Sequence, residues 1–124
     1  MHLSRTDFEK AVQEALASIP QQFEPYMESL VVDVEDRPSR ELLAEMEIDD
    51  ETELLGLYHG TPLTERSVEW PPMLPDRVTI YQRNLEAICR TRQELVHEIR
   101  ATVLHEVGHH FGMDEEDLDE LGFG

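Results

Sequence analysis

The chain has 124 residues, enough for one domain (residues 1–124) around one modest core. Its 28 Asp and Glu against 10 Lys and Arg give a net charge of −18, which argues against nucleic-acid or anionic-membrane partners and is compatible with basic or neutral peptides. The single cysteine, Cys89, excludes an intrachain disulfide. No apolar run approaches the ~20 residues of a bilayer span, and the charged, polar start lacks the apolar segment of a signal peptide, so a cytoplasmic location is expected.

In chain order, Phe8, Ala11, Val12, Ala15, Leu16 and Ile19 recur at helical spacing and predict an amphipathic helix over residues 6–19. Thr6 with Glu9 reads as its capping box, and Pro20 closes it. The apolar, β-branched run Leu30-Val31-Val32 with Val34 predicts a strand over 29–34. Pro38 then suits the first turn of a short helix ending near Met46, with Leu42 and Leu43 on its apolar side. Residues 48–53 read as an acidic, solvated connector, and 54–59 as a second strand ending at Gly60.

Residues 60–76 form the longest stretch without a periodic pattern, and they carry Pro62, Trp70, Pro71, Pro72 and Pro75. A loop of that length in a small domain has two readings, a substrate rim or a plain hairpin excursion. Residues 77–82 predict a third strand, and 84–89 a helical turn with Leu85, Ile88 and Cys89 apolar; Cys89 reads as a small buried residue. Thr91 and Glu94 form a capping box for a long helix over 91–111. Leu95, Val96, Ile99, Val103, Val107 and Phe111 are its apolar stripe. Gly112 stops it, and 113–121 suggests a short acidic helix anchored by Leu118 and Leu121.

The long helix carries the chemistry. His105-Glu106-Val107-Gly108-His109 is an HExxH motif. Positions i and i+4 share one helix face, so the imidazoles of His105 and His109 can converge on one metal ion. Zinc is the default ion for two imidazoles and an oxygen ligand, with the fourth position left to water. Glu106 stands next in sequence, placed to take a proton from that water. Asp114, Glu115, Glu116 and Asp117 follow Gly112 and offer a third ligand. A solvated helix face with a glycine cap and an acidic tail is the plainer alternative, but it requires none of these features to occur together.

The run His105 to Glu115, HEVGHHFGMDE, resembles the HExxHxxGxx(D/H) signature of zincin metallopeptidases. Its place near the end of a short chain is similar to the bacterial mini-zincins, small Asp-zincin-like metallopeptidases. Leu55-Gly56-Leu57-Tyr58-His59-Gly60 and Val78-Thr79-Ile80-Tyr81 resemble that family's two strands before the metal helix. The resemblance implies an α+β, minimal zincin-like fold: a small, mostly antiparallel sheet of three or four strands with helices on one face. It implies one Zn²⁺ held by His105, His109 and Glu115, where the family usually has Asp; Asp114 and Asp117 are the substitutes. It further implies that Glu106 acts as the general base and that a peptide or protein is the substrate, with substrate identity and oligomeric state left open.

An extended peptide could add as a strand to an exposed sheet edge, for which 55–59 is the expectation. Tyr58, His59 and Tyr81 lie on the flanking strands within conceivable reach of a developing oxyanion, although ordinary strand residues is the preferred reading. His110 points about 100° away from His109 around the helix, and His97 lies about 12 Å along the axis from His105, so neither is expected to ligate the same ion. Two function classes stand: a zinc-dependent peptidase, and a metal-binding or regulatory module on the same scaffold with little or no turnover. Glu106 favours the first, because holding a metal does not require it. A purely structural zinc site is disfavoured, since such sites usually close all four positions with Cys or His.

Overall fold

Phe8, Ala11 and Ala15 are fully buried and Val12 nearly so, and this one apolar stripe makes Arg5–Ala17 the first helix, α1. The computed structural model describes residues 1–28, 30–59 and 77–110, with Tyr26 and His110 described by their backbone alone. The cap of α1 is Ser4, whose Oγ accepts the Asp7 N–H at 3.1 Å, and not the expected Thr6. Starting there lets the Ser4 carbonyl accept the Phe8 N–H at 2.9 Å, which adds a first turn ahead of the buried stripe.

A 3₁₀ turn over Gln21–Phe23 and the one-turn helix α2, Glu24–Met27, lead into strand β1, Val31–Glu35. Helix α3, Arg40–Glu45, is capped by Ser39 Oγ on the Leu42 N–H at 3.1 Å. Within the acidic connector Asp50 caps a 3₁₀ turn over Glu51–Glu53, so part of that segment is ordered by its own carboxylate. Strands β2, Gly56–His59, and β3, Arg77–Tyr81, follow, then α4, Gln82–Ala87, and α5, Arg92–His110. The expected loop over 60–76 and the helix over 113–121 lie outside the described residues.

The sheet has three strands in the order β1-β3-β2. Strand β2 pairs antiparallel with β3, while β1 pairs parallel with it, Val32 opposite Val78 and Val34 opposite Ile80. The α+β class with a small three-stranded sheet is as expected; the parallel pairing gives a mixed sheet. Two edges remain among the described residues, β1 on one side and β2 on the other.

Helix α5 packs against α1 and against β2 and β3 of the sheet. Its Leu95, Ile99 and Val103 are fully buried and Val107 nearly so, in one cluster with Phe8, Ala11 and Ala15 of α1 and Val78 and Ile80 of β3. Leu104 is also fully buried, so α5 is covered on more than the one stripe that the sequence suggests. Its start follows the expected box in part: Thr91 Oγ1 accepts the Glu94 N–H at 3.1 Å, while Glu94 Oε2 accepts at 2.7 Å the N–H of Arg90, the residue before the cap. A smaller cluster joins Leu43, Leu54 and Tyr81.

Helix α4 departs from its apolar reading. Ile88, just past its end, is exposed, while Gln82 and Glu86 are buried. Glu86 Oε2 accepts the Leu3 N–H at 2.8 Å and a Gln82 Nε2 hydrogen at 3.2 Å, and Oε1 pairs with Arg83 at 2.8 Å. Arg5 Nε donates to Gln82 Oε1 at 2.8 Å. Cys89 is buried, as expected, and Glu86 Oε2 holds the start of the chain onto α4. Among the described residues no helix is long and apolar enough to cross a membrane.

Candidate metal centre

The buried stripe on α5 fixes the rotation of the helix and so decides where His105, Glu106 and His109 point. With Val103 and Val107 in the core, His105 and Glu106 are half-buried at the helix surface and His109 is exposed. The His105 and His109 ring centres are 5.7 Å apart, edge to face at 62°. Two imidazoles on one zinc at 2.0–2.1 Å per bond would put their ring centres roughly 5 Å apart. The observed spacing is close to what one shared ion requires, so the pair fits the group. Among the described residues no set of three His, Cys, Asp or Glu forms a metal cage. The expected third ligand Glu115 and its substitutes Asp114 and Asp117 lie outside the described residues.

Both rings and Glu106 line one open cleft of about 480 Å³. Its opposite wall is the approach to β2 and the strand's first residue, from Glu53 to Gly56. Antiparallel pairing sets which backbone groups of β2 face outward. The Tyr81 N–H donates to the Leu55 carbonyl at 3.0 Å, so Leu55 is in a hydrogen-bonded pair and, by alternation, Gly56 and Tyr58 turn their N–H and C=O groups away from β3. The Tyr58 N–H donates to the Glu106 carboxylate.

Burial pushes the Glu106 carboxyl above the ordinary carboxylate range; the His109 and His105 rings and the Tyr58 N–H draw it back without cancelling the rise. A carboxylate raised in this way holds a proton better near neutral pH, which suits a general base.

The other expected residues separate. Tyr81 is buried in the smaller cluster, away from the cleft, and desolvation raises its phenol, so it is an ordinary strand residue. The Tyr58 side chain packs against the main core, and it is the backbone of this residue that reaches the site. His59 is exposed at the end of β2. His97 is exposed, lines the far part of the same cleft, and has Nδ1 3.3 Å from Arg100 NH2. The side chain of His110 lies outside the described residues.

Two residues were missed as contributors. A Cβ placed on Gly56 would stand 2.8 Å from Thr102 Cγ2 and 3.2 Å from the Thr79 carbonyl oxygen, so α5 and β2 touch there. A glycine inside a strand is a recognised sign of such an approach, and Gly56 carried that signal in the sequence.

A search among curated proteins finds no match. Residues 27–124 match the family described as zincin-like metallopeptidases, a span that takes in β1, β2, β3 and the whole of α5. The chain belongs to the zincin-like metallopeptidase family.

Proposed function

We propose that this protein is a zinc-dependent peptidase in which His105, His109 and Glu115 hold one ion and Glu106 is the general base. The observation that carries the reading is the meeting of three things in one cleft: the paired rings, the Glu106 carboxylate and the outward backbone of β2. A bound zinc ion acidifies a water molecule and polarises a carbonyl. Glu106 takes the proton of the attacking water and returns it to the leaving amine. The outward N–H and C=O groups of Gly56, which lines the cleft, offer an extended peptide a point of pairing on β2, which would lay its backbone beside Glu106. The acidic surface, at a net charge of −18, favours basic or neutral peptides over acidic ones.

The test is zinc content together with cleavage of a peptide library by the wild type and Glu106→Gln. Both proteins are expected to hold zinc, and the variant to lose on the order of 10²–10⁴-fold in cleavage rate. Zinc in both with cleavage by neither would favour the metal-binding module on the same scaffold.

A further inference from the structure

Helix α5 and the edge strand β2 meet at one point that has no room for a side chain. Gly56 is buried on β2, and Thr102 is buried on α5. Thr102 is four residues before Glu106 and three before His105, so its methyl lies on the face that carries the site. A Cβ on Gly56 would come within 2.8 Å of that methyl, well inside the ~3.5–4.0 Å of ordinary carbon contact. It would also press on the Thr79 carbonyl at 3.2 Å, a group held in the β2–β3 ladder. Two residues further along β2 the Tyr58 N–H meets the Glu106 carboxylate, one helical turn beyond Thr102.

We infer that Gly56 is a positioning residue: its missing side chain lets β2 lie against Thr102 closely enough for the strand's outward backbone to hold Glu106 beside the metal ligands. Gly56 does not touch substrate through a side chain, and it acts through the helix. An added methyl opens the gap between strand and helix, and Glu106 loses the amide that fixes its rotamer. The inference rests on the reading of Glu106 as the general base, but the contact it invokes exists without any metal.

The experiment measures hydrogen exchange of the Tyr58 amide in metal-free protein, and kcat and KM of the zinc-loaded protein, for the wild type, Gly56→Ala, Thr102→Ser and the double variant. Thr102→Ser removes the methyl, the nearer of the two groups in the way, while keeping the hydroxyl. In Gly56→Ala the Tyr58 amide is expected to exchange about tenfold faster or more. The same variant is expected to lose about tenfold or more in kcat, with KM and zinc affinity changed far less. The double variant restores most of both, the Thr79 carbonyl contact being what remains. Unchanged Tyr58 exchange in Gly56→Ala overturns the inference, and so does a loss that Thr102→Ser does not repair. If Gly56→Ala does not fold, the double variant decides alone: folded with near-wild-type Tyr58 protection supports the inference, and unfolded or unprotected overturns it. A wild type with a protected Tyr58 amide that cleaves no peptide refutes the general-base reading and leaves the Gly56–Thr102 contact tested separately.

Discussion

The backbone N–H of Tyr58, turned away from the sheet, donates to the carboxylate of Glu106 on the neighbouring helix. An edge strand turns such donors away from the sheet's own ladder, and here one of them is aimed at the acid of the HExxH motif. The arrangement joins two parts of the site that lie far apart in sequence. It also places a half-buried carboxylate where burial disfavours its charge.

That burial has a consequence for stability. The folded protein binds the Glu106 proton more tightly than the unfolded chain does. Stability therefore falls as pH rises from the ordinary value of 4.5 through the raised one. Glu106→Gln removes the charge and keeps an oxygen for the Tyr58 N–H. Metal-free Glu106→Gln should melt above the wild type at about pH 7, with the gap closing below about pH 4. A lower melting temperature at neutral pH would contradict it. Gains of this kind, at the cost of activity, are common at catalytic groups.

Cys89 is the second group with a stated pH behaviour. Burial, and then the Glu98 and Glu94 carboxylates, push its thiol from 9.0 up to about 11. The unfolded thiol ionises first, so the contribution to stability is complete below pH 9 and lost as pH rises through about 11. Comparison of urea midpoints between the wild type and Cys89→Ala should show the difference shrinking across that window. At neutral pH a thiol reagent should label Cys89 only as fast as the fold opens. Rapid labelling of the native protein would show the thiol to be exposed.

Glu86 shows the opposite sign. Desolvation alone would raise its carboxyl, but the Leu3 N–H, Gln82 and Arg83 together outweigh it and hold the group below the ordinary range. Its contribution is present above 4.5 and is lost as pH falls through the lowered value. Glu86→Ala removes the acceptor of the Leu3 N–H and the carboxylate beside Arg83, and should cost about 2–4 kcal/mol near neutral pH, less in acid. Denaturant titration at two pH values checks both parts. A neutral effect at pH 7 would mean that the start of the chain does not depend on this carboxylate.

The elements were legible wherever local pattern decides them. The stripe Leu95, Ile99, Val103 and Val107 and the Thr91–Glu94 cap identify α5 from spacing alone, and α5 carries the site. The cap of α1 was ambiguous because Ser4–Asp7 and Thr6–Glu9 are both cap-like pairs ahead of the same Phe8, and the extra hydrogen-bonded turn selected Ser4. The burial of Gln82 and Glu86 was illegible, because their partners Leu3 and Arg5 come from the other end of the chain. The parallel β1–β3 pairing is long-range for the same reason. At the site, a tyrosine invites attention to its hydroxyl, yet Tyr58 contributes its amide, and strand register rather than residue type determines that.

The central claim is that the rings of His105 and His109 close on one ion beside Glu106, and zinc affinity measured by competition with a chromophoric chelator tests it most directly. The account predicts one zinc per chain for the wild type, binding weakened about 100-fold or more by His105→Ala and by His109→Ala, and binding close to wild type for Glu106→Gln. Zinc affinity that survives the loss of either histidine, or that depends on Glu106 as strongly as on the rings, would contradict it.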